Sequence, residues 1–196
     1  MKPFICITGG IACGKSTISR YLFDVLEYLW IDADAICHVL LSKENIIQQI
    51  VDIFGDEVIE IIEGLRYINH KIMGKIAFQD IDKKKKLEAI LHPLVEKKVD
   101  NIRKHCHDVE IPFAYECPLL FEIQKEEKYL PIIVVTCDKE LQIKRLMERN
   151  GLSADEAQLR IDAQLPIEYK ISKADYVIDT SREFDSTELT KFLEVS

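Results

Sequence analysis

Gly9-Gly10-Ile11-Ala12-Cys13-Gly14-Lys15-Ser16-Thr17 follows the apolar run Phe4-Ile5-Cys6-Ile7 and precedes an amphipathic stretch. The pattern G-x-x-x-x-G-K-[ST] is that of a phosphate-binding loop. Its glycines let successive backbone N–H groups turn inward on phosphate oxygens, its lysine reaches the outer phosphates, and its hydroxyl ligates Mg²⁺. Such a loop works between a buried strand and a helix N-terminus whose dipole favours anions. Downstream, Ile18, Tyr21, Leu22, Val25 and Leu26 fall at i, i+3, i+4, i+7 and i+8, which predicts a helix laid on a sheet by that stripe. A chance glycine-rich turn is the competing explanation, and it accounts for neither flank.

A chain of 196 residues suits one compact domain with room for inserted subdomains. It is 47% hydrophobic and 31% charged, and no apolar run approaches the length of a membrane span, about 20 residues. Met1-Lys2-Pro3 leads directly into a strand, so no signal peptide is expected and a cytoplasmic protein is the simplest reading. The net charge of −8 argues against a broad electrostatic footprint for nucleic acid, so an anionic substrate must be held by local groups. The six cysteines show no C-x-x-C spacing; Cys6, Cys117 and Cys137 are expected to pack as small hydrophobes, and neither a disulfide nor a zinc site is expected.

After the first helix, Tyr28-Leu29-Trp30-Ile31-Asp32-Ala33-Asp34 reads as a second strand ending in two carboxylates. Ligands of open parallel sheets bind beyond the C-terminal strand ends, so this tip is expected beside the phosphate loop. If it stays extended, Asp32 and Asp34 point to one side. From Ala35 to about His107 the pattern is almost entirely helical, with a helix over Asn45–Phe54 stopped by Gly55 and another starting near Asp82. Lys83-Lys84-Lys85-Lys86 reads as a solvated face, and His92-Pro93 marks a local constraint. Further strands are expected in Ile111–Glu116, Ile132–Cys137 and Tyr176–Asp179, the last followed by a helix from about Asp185.

Together these make a three-layer α/β domain with a parallel five-stranded sheet. The core is expected at about residues 1–34, 108–138 and 174–196, a helical acceptor-binding insertion at about 35–107, and a lid at about 139–173. In the lid, Arg145 and Arg149 lie four apart on one helix face, away from a stripe including Ile143, Leu146 and Met147, and Asn150-Gly151 ends the helix. Two exposed arginines paired with neighbouring glutamates would leave the same pattern.

Phosphoryl transfer from a nucleoside triphosphate needs positioning and charge stabilisation more than covalent chemistry. Gly10, Ile11, Ala12, Cys13, Gly14, Lys15, Ser16 and Thr17 are the candidate ATP-binding residues, with Ser16 on Mg²⁺. Arg145 and Arg149 would neutralise charge developing on the phosphoryl oxygens. Asp34 is the candidate base for an acceptor hydroxyl, and Asp32 would orient Mg²⁺ or its waters; spacing also permits the reverse. The structural alternative for both acids is a helix cap and a first-turn acid.

Several segments in order resemble the dephospho-CoA kinase family. They are Ile7-Thr8-Gly9-Gly10-Ile11 running into the Lys15 loop, Ile31-Asp32-Ala33-Asp34-Ala35-Ile36, Leu91-His92-Pro93-Leu94 and Pro118-Leu119-Leu120-Phe121-Glu122. Gln142 through Arg149, Ala163-Gln164-Leu165-Pro166 and Ala174 through Asp179 complete the set. The resemblance implies a P-loop kinase fold with a helical CoA-binding region and a mobile lid. It implies ATP and dephospho-CoA as substrates with Mg²⁺, phosphorylation of the ribose 3′-hydroxyl as the last step of coenzyme A biosynthesis, and Asp34 as base.

The chain departs from the family's usual pattern at five positions. Glu116 replaces an aspartate and is expected to serve Mg²⁺ through water, as an alternative to Asp32. His38 and His70 stand where arginines are common, Thr180 where asparagine is common, and Cys13 where serine or another small residue is usual. Cys13 is either a tolerated small side chain or a reactive thiol favoured by the helix N-terminus and Lys15. Nucleic acid and membrane are not expected partners, and a monomer or weak homo-oligomer is expected. Another small-molecule or nucleotide kinase of the same fold is the alternative function, and an ATP-dependent switch that couples to a partner protein is a third.

Overall fold

The computed structural model describes residues 3–182 and 184–194, so the chain start at Met1-Lys2 lies outside the described residues. The chain forms two compact units, Met1–Asp32 with Arg103–Ser196, and Ala33–Ile102. In the first unit, β1 (Phe4–Gly9) is buried along its whole length, as its unbroken apolar run requires. The loop then enters α1 (Lys15–Leu26), followed by β2 (Leu29–Asp32). Of the predicted stripe on α1, Ile18 and Leu22 are buried, whereas Val25 is 57% exposed. Ser19 takes a buried place instead.

The second unit begins with α2 (Ala33–Leu41) and α3 (Glu44–Phe54). Ile46, Ile47, Ile50 and Phe54 form the buried side of α3, which ends at Gly55, where φ is 95°. Residues 59–68 then depart from the helical expectation, forming a hairpin of β3 (Ile59–Ile62) and β4 (Leu65–Ile68) with Ile59 opposite Ile68. Its turn, Glu63-Gly64, has φ of 52° and 80°. Two successive positive φ values are what a tight hairpin turn requires. The unit continues with α4 (His70–Gln79), capped by Asn69, and α5 (Ile81–Asp108), which passes into the first unit at Arg103. α5 starts at Ile81, with the expected Asp82 in its first turn, and the Asp80 carboxylate accepts from the N–H groups of Asp82 and Lys83, each at 3.0 Å. Lys84, Lys85 and Lys86 are exposed, and Pro93 lies inside the helix without ending it.

Back in the first unit come β5 (Phe113–Glu116), β6 (Ile132–Thr136), α6 (Lys139–Asn150), α7 (Ala154–Asp162), α8 (Ile167–Ser172), β7 (Tyr176–Asp179) and α9 (Ser186–Glu194). The five-stranded sheet has the order β2-β5-β1-β6-β7, and every pair is parallel. The strands therefore end together, with Asp32 beside Glu116, Gly9 beside Val135 and Thr136 beside Asp179. β2 is an edge strand separated from β1 by β5, so the carboxylate nearest the loop across the sheet is Glu116 rather than Asp32. Ile5, Ile7, Ile18, Leu22, Ile133 and Val135 form the centre of the core, which Leu189 and Leu193 of α9 complete.

Gly9 is the point at which β1 and β6 meet most closely. Its φ is 142°, and a Cβ there would lie 2.0 Å from the Val135 carbonyl oxygen. Gly9→Ala is therefore expected to lower stability by about 3 kcal/mol, through strain and overpacking. Denaturant unfolding checks this; an unchanged midpoint would contradict the packing described.

Candidate active site

The loop alternates backbone hands, with φ of 142° at Gly9, 58° at Ala12 and 89° at Gly14. Backbone of this kind curves a loop into the concave shape of an anion nest. Helix α1 begins immediately afterwards with no side-chain cap and no acid in its first turn. Its dipole therefore favours an anionic ligand at this end of the helix. Lys15 is buried, and its ammonium donates to the Gly10 carbonyl at 2.8 Å and more distantly to that of Gly9.

Glu116 is the carboxylate that reaches the loop's hydroxyl. Ser16 Oγ donates to Glu116 Oε1 at 3.2 Å, and Ser19 Oγ donates to Oε2 at 2.7 Å. Burial pushes the Glu116 carboxyl above the ordinary glutamate value; the Ser19 bond opposes this, the charge of Asp32 adds to it, and Lys15 and Ser16 oppose it. Ser19 escaped the sequence reading, although its spacing of three from Ser16 marks a polar residue on the same helix face. The oxygens of Ser16, Glu116 and Asp32 suit a hard cation. Among the described residues no group of three or more His, Cys, Asp and Glu side chains forms a metal cage. Such a set fits Mg²⁺ completed by phosphate oxygens and water.

Strand β2 ends at Asp32, and Asp34 lies in the first turn of α2, in the second unit. The extended geometry that would put both acids on one side does not persist past Asp32. Arg145 and Arg149 also part company. Arg145 donates to Thr180 Oγ1 at 3.1 Å, to the Thr180 carbonyl at 3.2 Å and to the Ala12 carbonyl at 3.4 Å. Arg149 is exposed and donates to Asn150 Oδ1 at 3.0 Å. Within the α6 stripe Leu146 is buried but Met147 is 38% exposed, and Gln142 takes a buried position.

Two glutamines hold Ile11 by its backbone. Gln142 Nε2 donates to the Ile11 carbonyl at 2.6 Å, and the Ile11 N–H donates to Gln164 Oε1 at 2.8 Å. The strap carrying Gln164 is itself anchored, since the next N–H, of Leu165, donates to Glu122 Oε1 at 3.1 Å. Fully buried Lys170 places its ammonium 2.7 Å from that same oxygen, while Glu122 Oε2 is buried without a hydrogen-bond partner. Thr180 ties the end of β7 to the loop by donating to the Cys13 carbonyl at 2.7 Å.

Beyond β7 a cavity of about 550 Å³ is lined by Asp138, Tyr176, Asp179, Ser181, Arg182 and Glu188, among others, and by no residue of the loop. In the second unit, His38 and His70 stack at 4.3 Å between ring centroids, 17° apart. Burial, and then the charge of His38, lower the His70 pKa against the pull of Glu60.

A family model described as dephospho-CoA kinase matches residues 3–186. A dephospho-CoA kinase of Carboxydothermus hydrogenoformans is 41% identical over 187 residues, which cover 94% of this chain and 89% of that protein. The solved dephospho-CoA kinase from Campylobacter jejuni aligns with a TM-score of 0.68 at 32% identity, covering 99% of this chain and 93% of that one. A solved structure from Thermus thermophilus aligns with a TM-score of 0.75 at 28% identity, covering 99% and 94%.

Gln142→Met keeps the side-chain size and removes the donor, leaving the Ile11 carbonyl without its glutamine partner, a defect of about 1–3 kcal/mol. Titration calorimetry with a non-hydrolysable nucleoside triphosphate is expected to show affinity about tenfold weaker, with unchanged circular dichroism. Equal affinity would mean that Gln142 does not position the loop.

Proposed function

The chain belongs to the dephospho-CoA kinase family, and on that premise we propose that it transfers the γ-phosphoryl group of ATP to the ribose 3′-hydroxyl of dephospho-CoA, giving coenzyme A and ADP. The observation that carries the chemistry is the phosphate loop, whose Ser16 hydroxyl is held by the buried carboxylate of Glu116. The sheet topology and the matching family span support the same reading.

In this reading the loop's N–H groups and Lys15 bind the β- and γ-phosphates. Lys15 leaves the Gly10 carbonyl to meet them. Ser16, with Glu116 or Asp32 through water, would hold Mg²⁺, and the ion would supply neutralisation of phosphate charge. Glu116 keeps the Ser16 hydroxyl aimed at that position. Arg145 and Arg149 stabilise the moving phosphoryl group, with residues 139–173 acting as lid and about 35–107 receiving the acceptor. Asp34 accepts the proton of the 3′-hydroxyl as general base.

The reading includes a cytoplasmic location and a monomer or weak homo-oligomer. Among the described residues no helix is long and apolar enough to cross a membrane.

ADP formation with a panel of acceptors tests the assignment, and dephospho-CoA is expected to be preferred over other nucleotides and small alcohols. Asp34→Asn is expected to lower kcat by about two orders of magnitude or more with ATP affinity retained. If Asp34→Asn keeps full turnover and Asp32→Asn does not, the base is Asp32. Arg149→Ala, at an exposed position, is expected to lower kcat about tenfold or more without lowering Tm. Unchanged kcat would remove Arg149 from the mechanism.

A further inference from the structure

Cys13 and Cys137 are 124 residues apart in sequence, yet their sulfurs lie 3.4 Å apart, with the Cys137 thiol donating to Cys13. One belongs to the phosphate loop and the other directly follows β6. Cys13 is 1% exposed and Cys137 half-buried, and neither is in a disulfide. The sulfur of Cys13 rests against Gly10, where an added Cβ would lie 2.7 Å from it.

The thiol hydrogen bond from Cys137 pulls the Cys13 pKa down, and the cations of Lys15 and Arg145 add to this against burial. The same hydrogen bond raises the Cys137 pKa, with burial and the charge of Cys13 adding to it; Arg145 opposes this and Asp179 reinforces it. One thiolate next to one thiol is the arrangement from which a disulfide forms.

We propose that Cys13 and Cys137 are an oxidisable dithiol, a modification site at which hydrogen peroxide closes a disulfide that deforms the phosphate loop and weakens nucleotide binding. The Cys13 thiolate attacks one peroxide oxygen, the O–O bond breaks, and hydroxide leaves as Cys13 becomes a sulfenic acid. The Cys137 sulfur then attacks the Cys13 sulfur; the S–O bond breaks and water departs with the Cys137 proton. Two cysteines are oxidised and one peroxide is reduced. Peroxide is a small oxidant, suited to a thiol that is 1% exposed.

Closure has a definite effect on the loop. A disulfide bond is about 2.05 Å long, so the sulfurs must approach by about 1.3 Å from their 3.4 Å separation. Binding constellations tolerate displacements of about 0.5 Å. The movement acts on the residue whose carbonyl Thr180 holds and whose neighbour Ala12 is held by Arg145. The consequence for nucleotide binding rests on the ATP site proposed above; formation of the bond does not. ATP phosphates and the Cys13 thiolate are both anions near Lys15, so each disfavours the other, and bound Mg-ATP protects the pair.

The test treats the full chain with peroxide, with and without Mg-ATP, then alkylates it under denaturing conditions and maps peptides by mass spectrometry. ATP affinity and dephospho-CoA-dependent ADP formation are measured on the same samples. The expected result is a peptide pair linked through Cys13 and Cys137, ATP affinity at least tenfold weaker, recovery with dithiothreitol, and linkage at least threefold slower with Mg-ATP. Cys137→Ser is expected to give no linked pair, and a sulfenic acid on Cys13 that dimedone traps. Oxidation of other cysteines without the 13–137 link overturns the proposal, as does a link that leaves ATP affinity unchanged. Linkage with weakened ATP binding, in a protein that never phosphorylates dephospho-CoA, sustains this site and refutes the acceptor assignment.

Discussion

A tight phosphate-type loop leaves its carbonyls outside any regular ladder, so each of those oxygens needs its own donor. In this protein each carbonyl from Gly9 to Gly14 has one. Lys15 serves Gly9 and, with the Cys13 N–H, Gly10; Gln142 serves Ile11, Arg145 serves Ala12, Thr180 serves Cys13, and the first turn of α1 serves Gly14. The positive φ of Ala12, costly for a residue with a Cβ, is held within this outer shell of donors. Preorganisation of the anion site is therefore a property of α1, α6 and the end of β7 together.

The acidic side of the site follows the same logic. Glu116 is buried beside Asp32, and burial together with the Asp32 charge works against its ionised form. Two serines on α1 partly offset it by donating hydrogen bonds. A divalent cation would relieve the remainder, which makes metal binding and the packing of α1 on the sheet parts of one electrostatic problem. Glu116 reaches α1 with both carboxylate oxygens, and Ser19 secures one of them.

Elements whose cause is local were legible in the sequence. The β1 run, the loop, α1, α6 and the strands β5, β6 and β7 follow from apolar runs and helical spacing, and the parallel sheet follows from their alternation. The hairpin of β3 and β4 was missed because Ile59–Ile62 and Leu65–Ile68 are short and mostly exposed, and Glu63-Gly64 is a weaker turn signal than Asn-Gly. Asp32-Ala33-Asp34 reads equally as a strand end and as a helix start with a first-turn acid, and at Asp34 the structure takes the second form. The grip of Gln142 and Gln164 on Ile11 spans 131 and 153 residues, and no pattern within a segment encodes such a contact. The Cys13 sulfur contact lies beyond local spacing for the same reason, although the residue itself stood out.

The strand order has a consequence for the chain as it leaves the ribosome. Both neighbours of β1, the strands β5 and β6, are made more than a hundred residues after it. The buried β1 must therefore wait without its partners while the whole Ala33–Ile102 unit is made. The loop waits longer still, since its outer donors arrive at Gln142, Arg145 and finally Thr180. Competence to hold a nucleotide is thus acquired only once Thr180 has been made, and a shorter nascent chain carries the complete phosphate motif without the site.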